Sequence, residues 1–530
     1  MTGSPTGRPA QPPSAERVGS AVVSGYPRPR GVAPRRLVEL SDVLRVDPAV
    51  VRPTLPADLT VTGITHASTD VRPGDLYAGL PGANRHGAEF AAVAAAAGAV
   101  ALLTDARGAE LARAAGLPTL ITADARAALG PVASAVYGDP TARLPVIGIT
   151  GTAGKTSTAY LVESGLRAAG HRTCLIGTVE TRVGDTVVDS VRTTPEATDL
   201  HALFAAALEA GVTAGVMEVS SHALAYGRVG GVRFAVGGWT NFGSDHLDFH
   251  RDLDDYFAAK AALFDGRCGA EVLNLDDEAV RKLVRPTRVT YSAAGDPAAT
   301  WRAADVRPDR YGQRFTALGP DGVAVDAGVG LPGLHNVANA LLAIASLVAF
   351  GVDPVVAAKG VAACPGVPGR LERVTAPGPV IGVVDYAHKP GAIVAALAAL
   401  RASLPEGGRL ICVIGAGGDR DKGKRPVMGA AAAEGADLVI VTDDNPRTED
   451  PAAIRAQVLA GAAGPAEVVE VPGRKAAIDE AVRLARPGDV VALLGKGHER
   501  GQEINGVTHP FDDRTVLAEA LAGRFAGAVA

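Results

Sequence analysis

Short runs of aliphatic and β-branched residues recur along the chain, and helix-period segments lie between them. Val146–Thr150 reads as a buried strand. A small-residue turn follows, Gly151-Thr152-Ala153-Gly154, and then Lys155-Thr156 and an apolar-periodic helix over 160–169 closed by Gly170. Upstream, residues 61–65 alternate like a strand, and Arg72-Pro73-Gly74-Asp75 turns the chain into residues 76–80. An Ala-rich helix is predicted over 90–97, and a strand over 100–104. Downstream, apolar runs over 215–217, 234–239, 381–385, 410–414, 438–441 and 490–494 each end in polar residues. Helices are predicted over 256–264, 391–404 and 474–484. Strands alternating with helices imply parallel, doubly wound sheets.

At 530 residues the chain is long enough for about three domains of ~150 residues. The pattern breaks near residues 143 and 376. The expected organisation is a disordered tail over 1–36, a small N-terminal α/β domain over 37–143, a central P-loop ATPase-like parallel-sheet domain over 144–375, and a C-terminal Rossmann-like doubly wound domain over 376–530. The tail assignment rests on its Pro, Gly, Ser and Arg content without the apolar stretch of a signal peptide. Aromatic residues make up only 4% of the chain, so small aliphatics must fill the cores. A net charge of −5 gives no electrostatic case for nucleic acid or a membrane surface. Cys174, Cys268, Cys364 and Cys412 lie far apart, form no metal-ligand spacing or disulfide framework, and fit a reducing, cytoplasmic compartment.

Strand, glycine turn, Lys-Thr and helix form a phosphate cradle. Loop amides and the helix N-terminus face the anion, Lys155 meets the terminal phosphates, and the Thr156 hydroxyl can ligate Mg²⁺. Neighbouring strand ends carry Glu218 to His222, then Asn241, then Asp245-His246-Leu247-Asp248. A carboxylate and a histidine there suit Mg²⁺ or nucleotide orientation. Taken alone, Lys260 on its helical run reads as a solvated charge, and Ser68-Thr69 as turn formers. In the last third, the loop over 415–425 is glycine-rich and basic but lacks the G-x-G-x-x-G spacing, which excludes NAD. Four strand ends there carry polar clusters. Arg420 and Arg447 can fork onto carboxylates, and Asp444 and Glu499 can take an ammonium, so the expected ligand is zwitterionic.

These residues resemble the ATP-dependent Mur ligases of peptidoglycan synthesis. The resemblance spans roughly residues 60–520. It rests on Gly151 to Thr156, Thr193-Thr194-Pro195, Met217 to His222, Asp245 to Asp248, Ala258-Ala259-Lys260, Gly369-Arg370, Asp385 to His388, Gly418 to Arg425, Asp444-Asn445-Pro446-Arg447 and Gly495 to Glu499. It implies that Gly151, Thr152, Ala153, Gly154, Lys155, Thr156 and Ser157 hold ATP, with Asn241, Asn336, Asn339, Arg370 and Asp385 near the nucleotide. Thr156, Glu218 and His246 would surround Mg²⁺. Lys260 would be carbamoylated by CO₂ and ligate a second Mg²⁺. Lys155, Lys260, His246 and Arg370 would then be the catalytic set. Thr193, Thr194, Ser220 and Arg228 would hold the acceptor UDP-N-acetylmuramoyl-L-Ala-D-Glu, with Ser68 near its uracil. Arg420, Asp444, Asn445, Pro446, Arg447, Gly495 and Glu499 would form the amino-acid site. In this family Asp-Asn-Pro-Arg accompanies meso-diaminopimelate, whose second carboxylate a guanidinium can fork. The implied protein is a monomeric, cytoplasmic amide ligase. A lysine-adding counterpart and a folylpolyglutamate synthase-like ligase are the alternatives within the class, and a nucleotide-binding regulator that has lost catalysis is the alternative outside it.

Overall fold

The structure is a computed structural model that describes residues 25–44, 55–188 and 190–525. It contains three large sheets, one after another along the chain.

The first sheet has four parallel strands, Gly63–Thr65, Asp75–Ala78, Ala101–Thr104 and Thr119–Ile121. Helix Ala125–Val136 covers it through Leu129, Val132 and Val136, joined by Leu37 and Leu40 of helix Leu37–Val43. The strand expected over 61–65 is split. Thr60–Val61 pairs with Arg35–Arg36, whereas Gly63–Thr65 enters the parallel sheet. Between them the Thr62 amide donates to the Gly74 carbonyl at 2.9 Å, which turns the chain out of one sheet and into the other.

The disordered tail expected over 1–36 does not hold for residues 25–36. Residues 1–24 lie outside the described residues, but residues 25–36 are pinned to the body. The Arg28 guanidinium pairs with the buried Asp75 carboxylate at 2.7 Å. The amides of Arg30 and Gly31 donate to Glu209 at 2.9 and 2.8 Å. Composition reads these arginines as solvated, and the partners that hold them are more than 40 residues away in sequence.

The central sheet has eleven strands. Its parallel heart runs Thr173–Ile176, Ala214–Glu218, Val146–Thr150, Phe234–Trp239, Cys268–Asn274, Val289–Ser292 and Trp301–Asp309. Antiparallel strands extend both edges. Strand alternation assigns the faces. Ile147, Ile149 and Val216 face helices Lys155–Ala168 and Leu334–Phe350, whereas Val146 and Met217 face Leu200, Leu203 and Phe204 of helix Ala197–Glu209. Small residues let the helices approach closely. A Cβ on Gly165 would lie 2.2 Å from Leu347 Cδ1. Val146–Thr150 sits where the connections change direction, so its carboxyl end opens a crevice between Glu218 and Thr240.

The last sheet orders its strands Glu372–Val374, Ile381–Asp385, Val490–Leu494, Leu410–Ile414, Leu438–Val441 and Glu467–Glu470. All pairings are parallel except that of the first strand, which already belongs to this sheet ahead of residue 376. Helices Pro390–Arg401 and Lys424–Gly435 pack one face, and Arg474–Leu484 and Asp513–Phe525 the other. No described helix is long and apolar enough to cross a membrane.

Behind the carboxyl edge of this sheet, Arg474 is fully buried and bidentate to the fully buried Asp513 at 2.5–2.7 Å, and it also donates to the Leu494 carbonyl. Removing one partner leaves an uncompensated buried charge. We therefore expect Asp513→Ala to cost about 3–5 kcal/mol in guanidinium unfolding. Asp479→Ala, at the exposed Lys475–Asp479 pair, should cost less than about 1 kcal/mol.

Candidate active site

The strand Val146–Thr150 delivers its loop into the crevice. Gly151 and Gly154 have φ of +140° and +85°. A Cβ there would stand 1.8 Å from Thr240 Oγ1 and 2.4 Å from Asn339 Oδ1, so only glycine fits at either position. Asn241 clamps the loop. Its carbonyl accepts from the Thr152 amide at 2.9 Å and from the Trp239 indole N–H at 3.0 Å. Its side-chain oxygen accepts from the Ala153 amide at 3.0 Å. Thr158 donates to Asn339 Oδ1, and Asn339 donates in turn to Asn336, so both asparagines sit against the first turn of the loop's helix beside the buried Ser157.

Lys155 Nζ donates to the carbonyls of Gly151 and Thr152 at 2.8 and 3.0 Å. Burial pushes its pKa down to about 8, with Lys389 and Arg370 acting in the same direction and Glu218 and Asp245 opposing. Lys260 is 1% exposed, not solvated. Its Nζ also donates to the Gly151 carbonyl, at 2.8 Å, and lies 4.6 Å over the Tyr256 ring. Burial, reinforced by Lys155, holds this amine well below its ordinary proton affinity. Helical period alone cannot report that this face of the helix turns inward.

Glu218, 1% exposed, accepts from the Thr156 hydroxyl at 3.0 Å and from the Thr178 amide at 2.8 Å. A buried hydroxyl and carboxylate oxygen at a helix N-terminus form a hard donor set that fits Mg²⁺. His246, at φ +52°, lies 3.2 Å from Asp245. Burial pushes its imidazole down to about 4. The structure thus joins Thr156 to Glu218 and His246 to Asp245. Among the described residues no preformed cluster of three His, Cys, Asp or Glu side chains is present. Arg370 reaches Thr156 Oγ1 at 3.4 Å and stacks over Tyr386 at 4.6 Å. Asp385 accepts from the amides of Leu371 and Ala387 at 2.6 and 2.7 Å, and burial raises its pKa against the pull of Arg370.

Beside the cradle, Thr194 Oγ1 donates to the Glu218 carbonyl, and Ser220 sends its amide to Thr194. Thr193 meets Thr178 at 3.0 Å. Arg228 pairs with Glu196 at 2.9 Å, as does Arg126 of helix Ala125–Val136 at 3.1 Å, so this carboxylate ties the first sheet's layer to the second. Ser68 opens a separate turn, Ser68–Asp70, after the strand Gly63–Thr65, and shares none of these bonds.

The last sheet's carboxyl edge holds a pocket of about 190 Å³ lined by Arg420, Asp444, Asn445, Arg447, Gly495 and Glu499. Pro446 supports it from behind: its carbonyl would lie 1.8 Å from a Cβ on Gly418. Arg447, at φ +53°, donates to Glu503 at 3.0 Å and to the Gly418 carbonyl at 2.7 Å. Glu503 lies on the strand Gly501–Ile504 of a hairpin with Val507–Pro510. Lys496, fully buried, joins Glu499 at 3.0 Å, Asn445 at 3.1 Å and the Gly501 carbonyl at 2.6 Å. Sequence reasoning assigned no role to Lys496, Glu503, Lys424 or Lys389. Lys496 and Lys389 stand inside or beside quoted motifs, and only their folded partners disclose what they do.

The fold and these two sites define a phosphate-loop α/β protein whose nucleotide cradle is joined by Arg370 and Lys389 to a sheet bearing a pocket of mixed charge. Family descriptions match along its length: "Mur ligase family, catalytic domain" over 60–137, "Mur ligase middle domain" over 149–347 and "Mur ligase, glutamate ligase domain" over 369–497. The chain is 52% identical over 508 residues to the Streptomyces avermitilis protein named UDP-N-acetylmuramoyl-L-alanyl-D-glutamate–2,6-diaminopimelate ligase, covering 94% of this chain and 98% of that one. A Corynebacterium glutamicum protein of the same name is 47% identical, covering 84% and 89%. A solved structure with that name superposes with a TM-score of 0.68 at 29% identity, covering 93% of this chain and 99% of that one. The chain belongs to the Mur ligase family.

A lysine held near pKa 8 in the free protein regains its proton when polyphosphate arrives. Calorimetry of nucleotide binding in buffers of different ionisation enthalpy should therefore show proton uptake at pH 8–9. It should show none from this group below about pH 7, where Lys155 is already charged.

Proposed function

We propose that this protein is an ATP-dependent amide ligase that adds meso-diaminopimelate to the D-glutamyl carboxylate of UDP-N-acetylmuramoyl-L-Ala-D-Glu. The carrying observation is the pocket in which two guanidiniums, Arg420 and Arg447, face two carboxylates, Asp444 and Glu499. That is the complement of an amino acid with paired carboxylate and ammonium ends. L-Lysine would bring Arg447 no second carboxylate to take the place of Glu503. A folylpolyglutamate synthase-like ligase, which joins an amino acid to a glutamyl carboxylate too, is opposed by Asp444-Asn445-Pro446-Arg447 and Thr193-Thr194-Pro195. The names carried by the Streptomyces and Corynebacterium relatives support the same substrate pair.

The acceptor carboxylate is a poor electrophile, so it must first be activated. A carboxylate oxygen bonds to the γ-phosphorus as the bond to the β,γ-bridging oxygen breaks, and ADP leaves with that electron pair. The diaminopimelate amine then attacks the acyl carbon, the carbon–oxygen bond to phosphate breaks, and the nitrogen loses its proton. Lys155 and the loop amides hold the triphosphate, so positioning and charge neutralisation carry the catalysis. Thr156, Glu218 and His246 would hold Mg²⁺, which supplies further neutralisation of the phosphate oxygens. Burial pushes His246 and His388 down to about 4, so His246 is in the neutral form that ligation needs and His388 is a neutral imidazole at neutral pH. Thr193, Thr194, Ser220 and Arg228 would orient the dipeptide, and Ser68 the uracil. We place the ligase in the cytoplasm as a monomer, in keeping with four unpaired cysteines.

Lys260 is read as a carbamate. Burial lowers the proton affinity of its amine and so favours the neutral form, the one that adds CO₂: the nitrogen–carbon bond forms and a proton departs. The new carboxylate would ligate a second Mg²⁺.

Phosphate release from ATP should require both the UDP-dipeptide and meso-diaminopimelate, and L-lysine should substitute poorly. Arg447→Ala should raise KM for diaminopimelate about 100-fold, the worth of a charge-assisted pair, with ATP affinity within about twofold. Equal losses for both ligands would refute the assignment of this pocket. Lys260→Ala should lower kcat by about 10³-fold and recover partly with a short carboxylic acid, whereas wild-type turnover would exclude a required carbamate.

A further inference from the structure

Lys389 directly follows His388 and precedes the first turn of helix Pro390–Arg401 in the last sheet's layer. Its ammonium binds the Asp245 carboxylate, which belongs to the loop beyond the central strand Phe234–Trp239 and lies 144 residues away in sequence. The pair therefore bridges the phosphate-loop sheet and the pocket-bearing sheet. Asp245 is nine-tenths buried, whereas the Lys389 side chain is one-third exposed. Asp245 also accepts the His246 amide at 2.8 Å and lies 3.2 Å from His246 Nε2. Lys389 lies within electrostatic reach of two other ammonium groups, Lys155 of the phosphate loop and Lys424 in the amino-acid pocket. Lys389 contacts Asp245, and the same carboxylate acts at longer range on Lys155 and Lys424, so three cations share it. That excess of positive charge suits a multiply charged anion lying between the nucleotide cradle and the amino-acid pocket, which is where a transferred phosphoryl group has to pass.

We propose that Lys389 is a further catalytic residue: its ammonium exchanges Asp245 for the γ-phosphoryl group of the bound triphosphate and stays with that group as it passes to the acceptor carboxylate. The inference rests on the reading of the chain as an ATP-dependent ligase. Asp245 is then the counter-ion that holds Lys389 until the nucleotide arrives. Lys389 donates hydrogen bonds and keeps its proton throughout. The phosphorus exchanges the bridging oxygen of ADP for an oxygen of the acceptor, and no proton passes through the lysine.

A purely structural latch between the two sheets would not distinguish a triphosphate from a diphosphate, and binding measurements on the full chain make that distinction. With Mg²⁺ present, Lys389→Met should weaken the non-hydrolysable analogue AMPPCP about tenfold, the worth of one charge-assisted contact. ADP, which lacks the γ group, should bind within about twofold of wild type. Lys389→Arg should recover most of the AMPPCP affinity. In turnover, Lys389→Met should lower kcat about 100-fold with KM for diaminopimelate unchanged. Equal weakening of AMPPCP and ADP, or weakening of neither, would overturn the inference and leave Lys389 as a bridge only. Failure of the wild-type chain to bind either nucleotide would instead overturn the ligase reading itself.

Discussion

Two lysine side chains reach a single carbonyl oxygen. Lys155 and Lys260 both donate to Gly151, a neutral acceptor at the end of the central strand. Amines out of water with no carboxylate in hydrogen-bond contact bear a desolvation penalty that neutral carbonyls do not offset. Their lowered proton affinity is the result, and an anion is what relieves it. Much of the surrounding structure enforces this arrangement. Thr240 and Asn339 occupy the space that a side chain at 151 or 154 would need, and Asn241 fixes the loop from its other side. The central sheet supplies the frame, because its connections reverse at the strand carrying the loop.

The pocket in the last sheet is built on the opposite plan. Several of its charges arrive already matched: Arg447 with Glu503, Glu499 with Lys496, and Arg474 with Asp513 behind them. A zwitterion entering it substitutes for existing partners rather than filling a deficit. Affinity then depends on how closely the ligand's groups reproduce the geometry they replace, and selectivity follows from the same comparison. The cradle answers to the amount of charge, the pocket to its placement.

Elements with a strong local pattern were legible from residues alone. The strands Val146–Thr150, Phe234–Trp239 and Val490–Leu494 and the helix Arg474–Leu484 fall where periodicity puts them. The phosphate loop was legible because glycine, lysine and threonine carry their chemistry in their spacing. What failed depended on partners distant in sequence. Arg28 reads as part of a solvated tail until Asp75 is beside it. Residues 61–65 alternate evenly, and only the Thr62–Gly74 hydrogen bond divides them. Lys260 reads as a surface charge because helical period says nothing of which way a face turns; family resemblance, not periodicity, singled it out. The same limit hid Glu503, which matters only because a hairpin returns it to Arg447.

The chain has only two tryptophans, and one of them is tied to the cradle. Trp239 is fully buried, stacks on Phe264 with ring centroids 5.5 Å apart, and gives its indole N–H to the carbonyl that also receives the Thr152 amide. The other, Trp301, is buried on a more distant strand of the same sheet. Any rearrangement of the loop alters the local field on the Trp239 ring. The molecule therefore carries a built-in optical reporter of the state of its own loop, without an attached dye.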